Sequence, residues 1–275
     1  MPEREYYAER KGLLNPEPMD LEMLKKAFAW LFQKLEHELY FREATGYECT
    51  DKGDIPGRWG SDFEAFFYLK LRRTDIWPIP ERAHNYDEPT LFTTIEFLYD
   101  YVSEPQNKSY HSWNDCGWHT SDYDRDKGRK RYRDEINEIL KDYSSGYRLS
   151  DTGEILSISP TGLETLTTEV VETADPKNVD NRIHVAVTKY KRYNAILSDK
   201  KDAIRTLADV LEYLKKEGVQ LATKDDSDLF HIINSFDIRH HNKAQKGDYD
   251  KEIWYDWMFY TFLASIHALL KSKGK

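Results

Sequence analysis

After residue 178, four consecutive segments repeat apolar residues at helical spacing with short connections between them. A chain patterned this way packs as an antiparallel bundle of helices. The first segment carries Val179, Ile183, Val187 and Tyr190. The second starts after Ser198, carries Ile204, Leu207, Leu211 and Leu214, and stops at Gly218, a residue suited to a helix C-terminus. The third begins near Asp225 with Leu229, Ile232, Ile233 and Phe236, and the fourth is an aromatic helix from about Tyr249 to Ser272. Upstream, Pro160, Gly162 and Pro176 stand among Thr, Glu and Asp, a composition typical of a boundary. The expected division is an N-terminal domain over 1–160, a linker over 161–177 and a C-terminal helical domain over 178–275.

The N-terminal part also reads as mostly helical. Asp20 is a cap for a helix over Leu21–Phe41, with Leu21, Leu24, Phe28, Leu31, Leu35 and Leu39 on one face. Ser61-Asp-Phe-Glu64 has the form of a capping box. Pro89 suits the first turn of a helix carrying Leu91, Ile95, Leu98 and Val102. A further helix is expected from about Gly128 to Tyr143. Residues 106–127 are polar, aromatic and irregular. The clearest strand signal is a β-hairpin, Tyr147–Ser150 and Glu154–Ile158, turning at Asp151-Thr-Gly153. The fold class is therefore mainly α.

Charge is uneven along the chain. Residues 1–174 hold 22 lysines and arginines against 34 acids, whereas 175–275 hold 18 against 15. Nucleic acid binding is compatible with the second part only. Two cysteines make no disulfide framework and point to a reducing compartment. The N-terminus Met1-Pro-Glu-Arg-Glu has no apolar core of a signal peptide. The one long apolar segment, Ile253–Leu270, is interrupted by Asp256 and His267, so a buried helix is expected rather than a membrane span. A soluble, cytoplasmic protein is expected, with no Walker motif, dinucleotide fingerprint or organic cofactor.

Candidate chemistry concentrates in Phe236-Asp-Ile-Arg-His-His-Asn242. Arg239 offers a planar fork of donors to a phosphate. His240 and His241 offer proton transfer near neutral pH. Asn242 is placed to orient substrate or a histidine. A proton shuttle beside a stabiliser of phosphate charge is what metal-free cleavage of an RNA backbone requires. The structural alternative is a helix-terminal cation and a hydrogen-bonded loop pair.

Two further groups stand out. His111, Cys116 and His119 form an H-x4-C-x2-H array able to hold zinc with one position open for hydrolysis. Trp113 and Trp118 suggest a packed aromatic loop instead. Arg125, Lys127, Arg129, Lys130, Arg131 and Arg133 form a basic cluster, but Asp122, Asp124, Asp126 and Asp134 are interspersed with it, so a salt-bridged face is expected. Trp254, Trp257, Met258, Phe262 and Ile266, at helical spacing, read as core or a dimer interface.

The arrangement of Ile238-Arg-His-His-Asn242 between the last two helices resembles HEPN domains. The run Asp228–Asn242 with Tyr249–Tyr260 is similar to the C-terminal region of AbiJ-type abortive-infection proteins. Trp77-Pro-Ile79, Leu91–Asp100 and Tyr110–His119 resemble the domain that accompanies it there, so the likeness covers nearly the whole chain. It implies phage-defence or toxin-type RNA cleavage without metal, in a composite site across a homodimer. The family pattern is an Arg, four to six residues, then a His. Here Ala244, Gln245 and Lys246 occupy the positions for that His, and the histidines follow Arg239 directly. Three readings stay open. One is an endoribonuclease in which Arg239 stabilises charge and His240 or His241 moves the proton. Another is a catalytically silent HEPN-like module for dimerisation, RNA or a protein partner, with the N-terminal domain sensing a trigger. The last is a metal hydrolase at His111, Cys116 and His119.

Overall fold

The computed structural model describes residues 6–11, 18–169, 173–219, 223–236, 238 and 248–273. They are mainly helical with four small antiparallel strand pairs, and they form two compact units, Met1–Ile155 and Leu156–Lys275. The first unit contains α1 (Tyr7–Arg10), α2 (Leu21–His37), α3 (Arg42–Thr45), α4 (Phe63–Leu71), α5 (Ile79–Arg82), α6 (Glu88–Tyr99) and α7 (Arg125–Lys141). Its strands are β1 (Gly46–Cys49), β2 (Gly53–Pro56), β3 (Glu104–Gln106), β4 (Ser109–His111), β5 (Gly117–His119), β6 (Asp122–Asp124) and β7 (Tyr147–Leu149). β8 (Ile155–Ser157) pairs with β7 in the expected hairpin and straddles the division. The second unit contains α8 (Glu164–Thr168), α9 (Asp180–Lys191), α10 (Leu197–Lys216), α11 (Thr223–Ser235) and α12 (Lys251–Lys273).

Aspartates start four helices of the first unit. Asp20, Asp62, Asp87 and Asp124 each accept a backbone N–H three residues on, at 2.8–3.0 Å. Each such cap stabilises its helix by about 1 kcal/mol. Three boundaries differ from the sequence expectation. Asp62 rather than Ser61 caps α4. α2 ends at His37, because Leu39 takes a left-handed φ of 72° and leaves the helix. α7 begins at Arg125, so the basic cluster occupies its first turns.

The core of this unit is aromatic. Trp59 is 2% exposed and lies edge-on to Phe63, Phe67 and Trp77 at centroid distances of 5.5, 5.2 and 5.6 Å. α2 adds Leu24, Phe28, Phe32 and Leu35. Gly128 lets α7 approach the chain at β3, since a Cβ there would stand 2.4 Å from Ser103 Cα.

Residues 106–127, irregular by sequence, form two successive tiers of antiparallel pairing. β3 pairs with β6, and β4 with β5 beyond it. The two tiers are joined at Thr120, whose hydroxyl donates to Gln106 O and Asp122 O. Three-residue strands fall below the length at which alternation is detectable.

In the second unit α10 packs against both α9 and α12. Tyr190 stacks on Phe259 at 3.8 Å, and α11 contributes Leu229 and Ile233. Much of the stretch read as a linker belongs to this unit. Leu166 packs against its core, and Glu169 binds Lys271 at 3.0 Å. Pro and Gly mark where helices stop, and they do not show whether the intervening chain packs. Among the described residues, no helix is long and apolar enough to cross a membrane.

Candidate metal centre

Two short hairpins converge in the first unit. In β1–β2, Cys49 is paired with Gly53 across the turn Thr50-Asp51-Lys52. In β4–β5, His111 stands across from Gly117 and Ser109 from His119. The connecting turn holds Asn114 (51°) and Asp115 (51°) at positive φ, and Gly117 (97°) follows at the start of β5. Asn, Asp and Gly are the residue types that enter this region at least cost. The turn brings Cys116 back to the first hairpin, where the Thr50 N–H donates to Sγ at 3.4 Å.

The result is a four-donor cluster. One donor atom from each of Cys49, His111, Cys116 and His119 lies within 4.8 Å of the others. Cys116 Sγ and His119 Nε2 are 3.1 Å apart, and the two imidazole centroids are 5.3 Å apart. Tetrahedral zinc with bonds of about 2.0–2.3 Å separates its ligands by roughly 3.3–3.8 Å, so small movements seat an ion. Both thiols are free.

The surroundings fit metal ligation. His111 Nε2 faces Asp51 Oδ2 at 3.2 Å, while buried Nδ1 has no hydrogen-bond partner. Nδ1 is thus the nitrogen left for the cluster, and Asp51 supplies the carboxylate that orients a metal-bound histidine. The thiol of Cys116 is pulled down to about 6, chiefly by the Thr50 N–H, with His111 and His119 adding to it. That favours the thiolate, the form that binds metal. His119 is also held by the Tyr47 ring, 4.8 Å away.

The structure therefore brings together the three residues of the H-x4-C-x2-H array and adds two that the sequence reading missed, Cys49 and Asp51. Cys49 lies far upstream, beyond any local spacing rule. The available signal was that the chain has only two cysteines, and the fold places both at one point. The expected packed aromatic loop is not found. Trp113 and Trp118 are 67% and 53% exposed, and Tyr110, opposite Trp118, is 52% exposed.

The other candidates are placed as follows. Arg239, His240, His241 and Asn242 lie outside the described residues. Ile238 just before them is buried, and its carbonyl accepts from Arg205 Nε at 3.1 Å. Phe236 and Tyr249, on either side of the segment, have ring centroids 5.1 Å apart. Two histidines of the flanking helices, His231 and His267, lie apart from these candidates in sequence; His231 is exposed on α11, near Ser235 Oγ. His267 is buried on α12, 3.6 Å from Glu169, and burial lowers its pKa. In the basic cluster, Arg125 pairs with Glu43, Arg131 with Glu38 and Glu135, and Arg133 with Asp134. The aromatic stripe of α12 splits: Met258, Phe262 and Ile266 are core, while Trp254 and Trp257 are partly exposed.

No family model, curated protein or solved structure matches the chain.

Proposed function

We propose that the N-terminal unit binds one zinc ion through Cys49, His111, Cys116 and His119, and that the ion is structural. The carrying observation is the convergence of four donors from two hairpins within 4.8 Å. A tetrahedral set of two sulfurs and two nitrogens suits zinc above other common ions. Four protein ligands close the coordination sphere, whereas a hydrolytic zinc keeps a position for water. Without metal, Cys116, His111 and Asp51 would resemble a thiol nucleophile and its relay. Such a relay has no use for Cys49 and His119 at the same point, and a metal centre does. Elemental analysis of protein purified without chelator tests this reading. About one zinc per chain is expected, falling to near zero in Cys49→Ser and Cys116→Ser. Zinc-free wild type, or full zinc in both variants, refutes it.

For the C-terminal unit we infer the activity suggested by Arg239, His240, His241 and Asn242: metal-independent RNA cleavage by a HEPN-like homodimer in an abortive-infection protein. Its support is the residue pattern of that segment, with Phe236 and Tyr249 on either side of it and their ring centroids 5.1 Å apart. The structural zinc changes how this is tested, since a chelator would strip the N-terminal unit. Zinc-loaded protein, without added magnesium, is incubated with total RNA and tRNA beside Arg239→Ala. Fragments ending in cyclic phosphate, from wild type only, are expected. Equal cleavage by the variant refutes the assignment, and no cleavage by either leaves the silent dimerisation or binding module.

A further inference from the structure

The hairpin that carries the metal ligands has two faces. Strand residues alternate in direction, so His111 and His119 turn inward to Cys49 while Tyr110 and Trp118 turn outward. The outward pair is in contact, with ring centroids 5.3 Å apart and near-perpendicular planes. Tyr110 is fixed further by its hydroxyl, which donates to Asp115 at 2.9 Å. Trp113, in the turn, is the most exposed of the three. Aromatic side chains clustered on a surface gain nothing there from burial, and Trp and Tyr are the types that dominate binding at interfaces.

Charge selects the partner. The two hairpins and their turns expose Glu48, Asp51, Asp54 and Asp115 against Lys52. Zinc with two thiolates and two imidazoles is formally neutral, so metal binding does not reverse this sign. An acidic aromatic corner repels a polyanion. It attracts cationic side chains, which also sit favourably over Trp and Tyr rings.

We propose that Tyr110, Trp113 and Trp118 form a docking surface for an arginine- or lysine-bearing peptide segment of a partner protein. The inference rests on the zinc reading only for the rigidity of the hairpin that presents these rings. A fluorescent ten-residue peptide of alternating Arg and Ala, titrated into the zinc-loaded full chain and followed by anisotropy, tests it. Saturable binding is expected, weakened at least about tenfold in Trp113→Ala and in Trp118→Ala, although neither changes the charge. Zinc content is measured on every sample. Binding that the tryptophan variants leave unaltered, or no binding, overturns the proposal. A labelled single-stranded RNA that binds more tightly than the peptide and depends on the same tryptophans also overturns it. Tryptophan-dependent peptide binding by a zinc-free chain would sustain the docking surface and sink the zinc reading, so the two failures are distinguishable.

Discussion

Two regions of the N-terminal unit are rich in aromatic residues and built from short elements, yet they are held together by opposite means. Around Trp59, the rings of Phe63, Phe66, Phe67 and Trp77 surround a side chain almost wholly removed from water. Full burial of a ring such as Phe67 contributes about 1.5–3 kcal/mol. Around Cys116, the rings of Tyr110, Trp113 and Trp118 face solvent. The strands beneath them are three residues long, and a hairpin of that length is marginal on its own. The first region needs no ligand. The second has the donors of a metal site where the first has apolar packing. Aromatic content therefore does not identify a core. What separates the two regions is whether other elements close over the rings.

The largest effect should come from the metal corner. Cys116→Ser or Cys49→Ser should abolish zinc binding, and chelation should lower the melting temperature of wild type but not of either variant. Equal chelator sensitivity in all three would erase the distinction between the regions. Next is the aromatic core: Phe67→Ala should cost about 3–5 kcal/mol in urea unfolding while leaving zinc stoichiometry intact. Loss of zinc in that variant would mean that the two regions are one cooperative structure. Gly128→Ala should cost about 1–3 kcal/mol by driving a methyl group into the chain at Ser103. Asp51→Asn should weaken zinc affinity by about 10–100-fold without removing a ligand, read by competition with a chromogenic chelator.

The smallest effect is the pH response. A thiol lowered to about 6 is mostly thiolate above that pH and becomes protonated below it. Below about pH 6 protons compete with zinc for the Cys116 sulfur, so zinc affinity should weaken as pH falls through that range. Metal-free protein should show iodoacetamide labelling of Cys116 that follows the same midpoint, and zinc should suppress it. A labelling midpoint near that of an ordinary thiol, about 8.5, would remove the electrostatic part of the argument.

Helix content was legible in the sequence because it repeats locally. The apolar spacing of Ile204, Leu207, Leu211 and Leu214 marks α10 with no knowledge of its neighbours, and Asp20 and Pro89 mark helix starts. The hairpin at Asp151-Thr-Gly153 was legible for the same reason. Helix ends were less so: Leu39 continues the apolar face of α2 but takes a left-handed conformation that ends it. The tiers β3–β6 and β4–β5 were hidden because three residues cannot display alternation. Three of the four donors of the candidate site were readable as H-x4-C-x2-H. Cys49 was not, since nothing local ties it to His111.

By itself, the sequence determined the mainly helical character, the helix starts and a three-residue ligand array, all set by interactions spanning a few residues. Only the tertiary structure decided that Cys49 and Asp51 complete that array, that α8 packs with the helices after it, and that Trp59 is buried while Trp113 and Trp118 are not. The physical reason is range. Backbone propensity and capping act along the chain, whereas coordination and burial depend on which distant segments the fold brings within a few ångströms.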